Sequence, residues 1–316
     1  MEAYSRDNQR DSLLARRGIM RDSQGANPLQ SAPRKLTSDA ILEQVRDLPA
    51  LPTVVVKIMR LTSKGEGASP RQMAEVISQD PNFAARILKM ANSCYYGLPR
   101  AVSTLSDAVM MLGSQSIRHL AMIAATQDTL RQRVPGYELN PGELWRHSVG
   151  TAWAVSELAK LANYAEQEEA FVAGLLHDVG KMVLGQYVQE KLPEIQAIME
   201  AQESSFVEAE RAVLGLDHAE IGGQMALHWN LPALLVQAIR WHHAPIQKGY
   251  VAPMTALVYL GNILCSAVGA SATIGESLTE VHTACLHVLN LNERQVNTTM
   301  EQLAVYLESV PNAFGE

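Results

Sequence analysis

Between residues 147 and 243 of this 316-residue chain, histidine and aspartate residues recur at a spacing that suits metal binding. They are His147, the doublet His177–Asp178, His218 and the doublet His242–His243. Each lies in, or at the end of, a segment with a helical pattern, and neighbouring residues on a helix point about 100° apart. A doublet can therefore offer ligands to two neighbouring metals more easily than to one small ion. Two doublets and two single histidines suit a dinuclear site inside a helical bundle.

Such a donor set has a definite chemistry. Imidazole with carboxylate suits iron, manganese, nickel or zinc, and it does not select among these divalent metals. A metal pair could activate a water and bind a phosphate, which is phosphohydrolase chemistry. The alternative is structural, because an isolated interior histidine is more often a hydrogen-bonded core residue than a ligand. The remaining histidines have no such companions and are interpreted as structural or surface residues; they are His119, His228, His282 and His287.

The elements that must position these residues are predicted to be helices. Aromatic residues make up only 5% of the chain, and this composition favours helices over sheets. Helix starts are marked by Ser69 and Asp80, each of which precedes a proline. Gly113 is predicted to separate two helices, and QEEAFVAGLLHDVGKMVLGQY (residues 167–187) is predicted to be one helical segment. No convincing strand pattern is present, so the chain is predicted to be all-α.

The chain is predicted to fold as a two-lobed helical bundle. Residues 1–36 carry more basic than acidic side chains and lack periodicity, which predicts a disordered basic tail. The loop VPGYELNPGE (residues 134–143) is the predicted boundary between an N-terminal lobe, residues 37–134, and a second lobe, residues 141–270. Residues 271–316 are predicted to add C-terminal helices that pack on the second lobe.

Composition also bears on several classes of function. The net charge of −7 argues against a general nucleic-acid binder. The three cysteines form no CxxC pair, which predicts buried thiols in a reducing cytoplasm; they are Cys94, Cys265 and Cys285. The polar start of the chain predicts no secretory signal peptide. The apolar run at residues 255–270 is too short to span a bilayer and is predicted to be a buried helix, so no membrane contact is expected.

Two stretches of the first lobe allow more than one interpretation. GSQSIRHLAMI (residues 113–123) could be a recognition helix, but only Arg118 and His119 offer contacts to bases or phosphates, so DNA binding is not expected. NSCYYGLPR (residues 92–100) combines two tyrosines, a glycine and an arginine. For this stretch, a helix end packed on its neighbour is favoured over a role in ligand binding.

The histidine series resembles the HD superfamily of metal-dependent phosphohydrolases, and GLLHDVGK (residues 174–181) is similar to its motif. The fuller resemblance is to the HDOD domain, the HD-related output domain of bacterial signalling proteins. It rests on VISQDPNFAARILKMANSCYYGLPRAVSTLSDAVMMLG (residues 76–113), DHAEIGGQMALHWNLP and AIRWHHAP, and it extends over residues 41–262. The resemblance implies a helical N-terminal lobe beside an HD-like lobe. It also places the metal ligands on the six residues of the histidine series, with Lys181 near the phosphate if the chain is an enzyme.

The chain departs from the active HD pattern at two positions. Asn262 stands where the enzymes have a further aspartate, and Ala244 stands where the HD-GYP phosphodiesterases have a glutamate after the histidine doublet. The resemblance therefore implies a cytoplasmic regulatory adaptor that contacts other signalling proteins, without catalysis. Two alternatives stay open. One is a metal-dependent phosphohydrolase, such as a cyclic-di-GMP phosphodiesterase, and the other is a receptor for a nucleotide second messenger without turnover.

Overall fold

The computed structural model describes residues 69–93, 98–269 and 280–314, together with Tyr96 and isolated positions between 41 and 61. The described residues fold into helices and a single two-stranded sheet, so the predicted all-α class is confirmed. All of them belong to one compact unit, Leu36–Glu316. The predicted basic tail and Cys94 lie outside the described residues.

Three helices with described bounds precede the loop at residues 134–143: α1 (Pro70–Ile77), α2 (Pro81–Ala91) and α3 (Leu105–Leu130). Ser69 and Gln72 form a reciprocal capping box at the start of α1. The Asp80 carboxylate accepts hydrogen bonds from the first backbone N–H groups of α2. Gly113 interrupts α3 with a φ of 82°, a value that favours glycine, so the predicted break between two helices is confirmed.

Nine more helices follow along the described chain. They are α4 (Glu143–Leu161), α5 (Gln167–Leu176), α6 (Lys181–Gln202), α7 (Phe206–Leu214), α8 (His218–His228), α9 (Ala233–Arg240), α10 (Pro253–Ala267), α11 (Glu280–Leu289) and α12 (Glu293–Phe314). A hairpin of β1 (Ile246–Gln247) and β2 (Tyr250–Val251) joins α9 to α10. Its turn contains Lys248 and Gly249, both with positive φ, and two-residue strands are too short to leave an alternating pattern in the sequence.

One predicted helix is in fact two. The segment at residues 167–187 breaks into α5 and α6, and the residues His177–Gly180 form the turn between them. All four turn residues are buried. The prediction of one continuous segment was wrong because local helical periodicity persists across a turn that is stabilised by tertiary contacts.

The core surrounds α4, which packs against α3, α5, α10 and α12. One hydrophobic cluster includes Met73 of α1, Val155 of α4 and Leu307 of α12. Helices on both sides of the loop at residues 134–143 therefore share a core, and the proposed division into two lobes stays a prediction. Most of the apolar run from residue 255 forms the buried helix α10. Within the described ranges, no helix is both long enough and apolar enough to cross a membrane.

Candidate metal centre

The turn between α5 and α6 presents His177 and Asp178 to the start of α8. Gly180 in this turn lies so close to α8 that an added Cβ would be 1.9 Å from the carbonyl oxygen of His218. Any larger residue would push the two segments apart. The absence of a side chain at Gly180 therefore brings His177, Asp178 and His218 together, and all three are fully buried.

The other histidines reach the same point from different elements. His147 projects from the first turns of α4, and His242 and His243 follow the end of α9. The Nε2 atoms of His147 and His177 are 3.2 Å apart, and those of His218 and His243 are 2.9 Å apart. The structure thus brings together all six residues that the sequence suggested as ligands, although their role as ligands stays a prediction.

Asp178 lies at the middle of the cluster and connects its two halves. Its Oδ2 atom is 3.6 Å from Nε2 of His147 and 3.3 Å from Nε2 of His177. Its Oδ1 atom is 3.3 Å from Nε2 of His218 and 3.6 Å from Nε2 of His242. The ligand atoms form two groups that share Asp178, and the atoms of each group lie within 4.8 Å of one another. The first group is His147, His177 and Asp178, and the second is Asp178, His218, His242 and His243.

Hydrogen bonds on the side of the ring away from Asp178 orient His177 and His242. Nδ1 of His177 is 2.8 Å from the carbonyl oxygen of Gly174, and Nδ1 of His242 is 2.7 Å from that of Ile239. A carbonyl can only accept, so Nδ1 carries a proton in each ring and Nε2 is the nitrogen that faces the centre. Metal-binding histidines in proteins are commonly held in this way.

His218 is held by a carboxylate that the sequence analysis missed. Glu210 of α7 is fully buried, and its Oε2 atom is 2.8 Å from Nδ1 of His218 and accepts the backbone N–H of the same residue at 3.1 Å. The hydroxyl of Tyr137 donates to the other carboxylate oxygen. Glu210 comes from a different helix and Tyr137 from the loop before α4, so no spacing rule links either residue to His218.

Lys181 contacts the centre directly and does not project into open space. Its ammonium group is 2.6 Å from Oδ2 of Asp178 and is buried. It also lies 5.6 Å from the centre of the Tyr137 ring, within the range of a cation–π contact. Its positive charge therefore compensates the Asp178 carboxylate in this structure.

The protonation states follow from burial and neighbouring charge. Burial opposes ionisation of Asp178, but the adjacent His177 and Lys181 hold its pKa well below the usual value. Burial also opposes protonation of His218, yet the Glu210 carboxylate raises the pKa of His218 to about 9. Burial lowers the pKa of His242 to about 4. Asp178 is therefore an anion and His242 is neutral near neutral pH, the forms in which each can bind a metal.

The donor set fits a divalent cation. Oδ1 of Asp178 and Nε2 of His242 are buried and have no hydrogen-bond partner of suitable geometry among the described residues. Buried polar atoms rarely stay unpaired, so each indicates a missing neighbour. Imidazole nitrogen with one carboxylate matches the predicted range of iron, manganese, nickel and zinc. The cluster can therefore hold a metal, and its chemistry does not select which one.

Neither position that departs from the HD pattern supplies an acid. Asn262 is buried in α10, one turn before Cys265, whose thiol contacts the backbone oxygen of His147 at 3.4 Å. The amide oxygen of Asn262 has no partner among the described residues. Ala244 follows the histidine doublet and has no polar side chain to offer. Within the described residues, Asp178 is the only carboxylate in the two groups.

Three histidines that were predicted to be structural or surface residues lie outside the metal centre. His119 stacks on Phe171 with ring centres 3.8 Å apart, while His228 and His287 are exposed on α8 and α11. Arg118 does not face solvent: it is 1% exposed and forms an ion pair with Glu168. Its guanidinium is therefore engaged inside the protein, and the expectation that this stretch does not bind DNA stays a prediction.

Comparison with known proteins gives a consistent assignment. The HDOD domain matches residues 48–245, more than half of the chain. This chain belongs to the HDOD family. The resemblance inferred from GLLHDVGK and the N-terminal motifs is confirmed, and the chain carries an HDOD domain, which is a signalling-type domain.

Solved structures with the same fold include HDOD and HD-related proteins. An HDOD domain protein of unknown function from Geobacter sulfurreducens is 23% identical with a TM-score of 0.72, and the match covers 87% of this chain and 99% of that one. A protein from Shewanella amazonensis SB2B, provisionally assigned as a phosphohydrolase, is 24% identical with a TM-score of 0.61, and the match covers 87% of this chain and 95% of that one.

A relative was also found by sequence. An uncharacterized protein of Treponema pallidum (strain Nichols) is 26% identical over 223 residues, which are 68% of this chain and 41% of that protein. The HDOD chain thus spans about two fifths of the length of this relative.

Proposed function

We propose that this HDOD chain is a cytoplasmic signalling regulator that acts through contacts with other proteins, and that its HD-type centre binds a divalent metal without hydrolysing a phosphodiester. The observation that carries the proposal is the supply of charge at the centre. Asp178 is the only carboxylate of the two donor groups in the described chain, and Lys181 already lies 2.6 Å from it.

Charge balance favours one metal over two. Two divalent cations would bring four positive charges next to the Lys181 ammonium, against the negative charges of Asp178 and of Glu210, which contacts His218 from outside the donor groups. Placing uncompensated charge in a buried site costs several kcal/mol per ion. Asp178, His218, His242 and His243 offer four donors, the number that closes a tetrahedral site. His242 and His243 can both serve one metal because they lie beyond the end of α9, where the angular separation of helix neighbours does not apply. A metal held there would fix α8, the segment after α9 and the turn before α6 relative to one another.

Side chains on the surface support a role in protein contacts. Met110 and Met111 precede the break in α3 and are 64% and 44% exposed. Flexible methionine side chains adapt to different partners and are common on binding surfaces. Other signalling proteins are therefore the proposed partners.

A second candidate function is metal-dependent phosphohydrolysis. The group of His147, His177 and Asp178 has three donors, which is the number found in catalytic sites that keep an open position. When bound, a metal there would polarise a phosphoryl oxygen. In that case Lys181, adjacent to the group, would attract the phosphate of the substrate.

One experiment separates these functions. The purified protein is analysed for bound metal and is assayed with cyclic-di-GMP and a simple phosphodiester after addition of iron or manganese. We expect about one metal per chain and no turnover. Turnover that disappears in both His177→Ala and Asp178→Ala would refute the adaptor and support the phosphohydrolase. Binding of cyclic-di-GMP without turnover would instead indicate a nucleotide receptor.

A further inference from the structure

A second candidate site lies among helices α3, α4, α5 and α12, and it shares no residue with the metal centre. It is a cavity of about 160 Å³. Its walls include Ser116 and His119 of α3, Trp153 and Ser156 of α4, Phe171 of α5 and Tyr306 of α12. We name it the α3–α12 cavity.

The size of the cavity limits its occupant to about one ring. An apolar cavity of about 150 Å³ in a protein interior holds one benzene molecule. The α3–α12 cavity has a comparable volume but a different lining, because its walls carry hydroxyl, amide and imidazole groups. Its occupant should therefore be a ring with polar substituents.

Aromatic side chains shape the walls for a flat molecule. Trp153 and Tyr306 stack with ring centres 5.1 Å apart and planes 16° apart. His119 and Phe171 stack with ring centres 3.8 Å apart and planes 10° apart. These two pairs come from four different helices, so the ring orientations are fixed by the packing of the fold.

His119 supplies an unused hydrogen-bonding group in this wall. Its Nε2 atom is enclosed and has no hydrogen-bond partner among the described residues. Burial lowers the pKa of His119 to about 3, so the imidazole is neutral near neutral pH and one of its nitrogens can accept a hydrogen bond. Ser156 is also buried and adds a hydroxyl that can both donate and accept.

The charged residues of the lining offset each other. Lys160 and Glu157 form an ion pair of 2.6 Å, and their side chains are 50% and 28% exposed. This pair marks the solvent side of the cavity, and its two charges cancel. The pair leaves no net charge on this side of the cavity, so the lining offers no unpaired opposite charge to an ionic ligand and a neutral ligand fits better.

We propose that the α3–α12 cavity binds a neutral six-membered heteroaromatic ring with amide-type donors and acceptors, the chemistry shared by pyrimidine bases and nicotinamide. Such a ring fits the volume, lies against the aromatic walls, and offers hydrogen bonds to His119, Ser116 and Ser156. The cavity also includes Tyr96, which belongs to the stretch at residues 92–100. The site would give the regulator a small-molecule input that is separate from the metal.

Calorimetric titration of the full chain with uracil, cytosine and nicotinamide tests this inference, with tryptophan fluorescence recorded in parallel. We expect one-site binding of at least one probe with a Kd of about 1 mM or below, a range open to a ligand of this size. Trp153 lies in the wall, so its emission should change on binding. The probe that binds most tightly distinguishes a pyrimidine source from a nicotinamide source.

Three variants locate the binding. Ser116→Met fills the cavity, and His119→Phe keeps the stacking on Phe171 but removes the ring nitrogens; each should raise Kd by about tenfold or more. Thr129→Met makes a similar change at an exposed position of the same helix and should leave Kd unchanged. Metal content should stay at the wild-type level in all three, which separates this site from the metal centre.

Either of two results would overturn the inference. One is the absence of heat and of an emission change with all three probes at about 10 mM. The other is binding that Ser116→Met and His119→Phe leave as tight as in the Thr129→Met control, because the probe would then bind elsewhere.

Discussion

Replacement of Gly180 by alanine should separate the two halves of the metal centre. Gly180 has φ −62° and ψ −24°, a conformation that alanine adopts readily, so backbone strain is not expected. The expected effect is steric: the new Cβ would lie 1.9 Å from the His218 carbonyl oxygen and 2.7 Å from the backbone nitrogen of Gly222. Both contacts are with backbone atoms, which cannot rotate away as a side chain can.

The structure sets the size of the effect. Real Cβ contacts are essentially never closer than about 3.0 Å, so the α5–α6 turn and α8 must move apart by about 1 Å. Overpacking of this kind costs about 1–3 kcal/mol, which for a chain of this length lowers Tm by several degrees. Metal–ligand distances deviate from their preferred values by only about 0.2 Å. A shift of about 1 Å between Asp178 and His218 should therefore abolish the four-donor group.

Metal analysis and thermal unfolding measure the two effects together. We expect Gly180→Ala to lose most of its bound metal while it still unfolds cooperatively at a lower Tm. Gly222→Ala is the milder comparison, because its Cβ would meet one side-chain atom at 2.9 Å, the Cγ2 methyl of Ile239, and no backbone atom closer than 3.5 Å. It should retain metal. Normal metal content in Gly180→Ala, at the wild-type Tm, would refute the claim that this close approach assembles the centre.

Three further predictions concern residues around the two sites. Glu210→Gln keeps the shape of the group that orients His218 but removes its charge, so metal affinity should fall about 10–100-fold in a chelator competition with little loss of helix content. Asp178→Asn leaves the buried Lys181 ammonium without its carboxylate and should lower the free energy of unfolding by about 3–5 kcal/mol, whereas the double variant with Lys181→Met should regain most of that loss in a denaturant titration. His119 is partly buried and its pKa in the folded protein is about 3, so its imidazole binds a proton more readily in the unfolded chain. As pH falls from about 6.5 towards about 5, the free energy of unfolding should drop by up to about 2 kcal/mol, and thermal melts of His119→Phe should lack that part of the pH dependence.

The sequence predicts the helices more reliably than the turn that carries His177 and Asp178. Caps at Ser69 and Asp80 and the break at Gly113 are local signals, and the structure has each where it was expected. The turn from His177 to Gly180 has no such signal, because its residues continue a helical pattern. It is held by the contact with α8, and a contact between residues about forty apart leaves no mark in a local window.

The candidate site, too, was only partly predictable from the sequence. Residue type and spacing identified the histidines and Asp178, since metal chemistry limits which side chains can serve. Glu210 and Tyr137 were missed, because a residue that orients a ligand needs only the right place in space and can come from any element. Their contacts link the loop at residues 134–143 to His218 through Glu210.

Under the proposal that the centre does not hydrolyse a substrate, this link gives it a way to serve in signalling. Tyr137 belongs to the loop that joins the N-terminal helices to α4, and its hydroxyl donates to the carboxylate that orients His218. A metal bound to His218 would hold its imidazole in one orientation. Glu210 and Tyr137 would then have to stay in the positions that allow this orientation. Metal binding would therefore stabilise one arrangement of the loop relative to the others, as any ligand stabilises the state that it binds better. The retained histidines need no hydrolytic role to be useful, because the same contacts that position a ligand also make the loop sensitive to it.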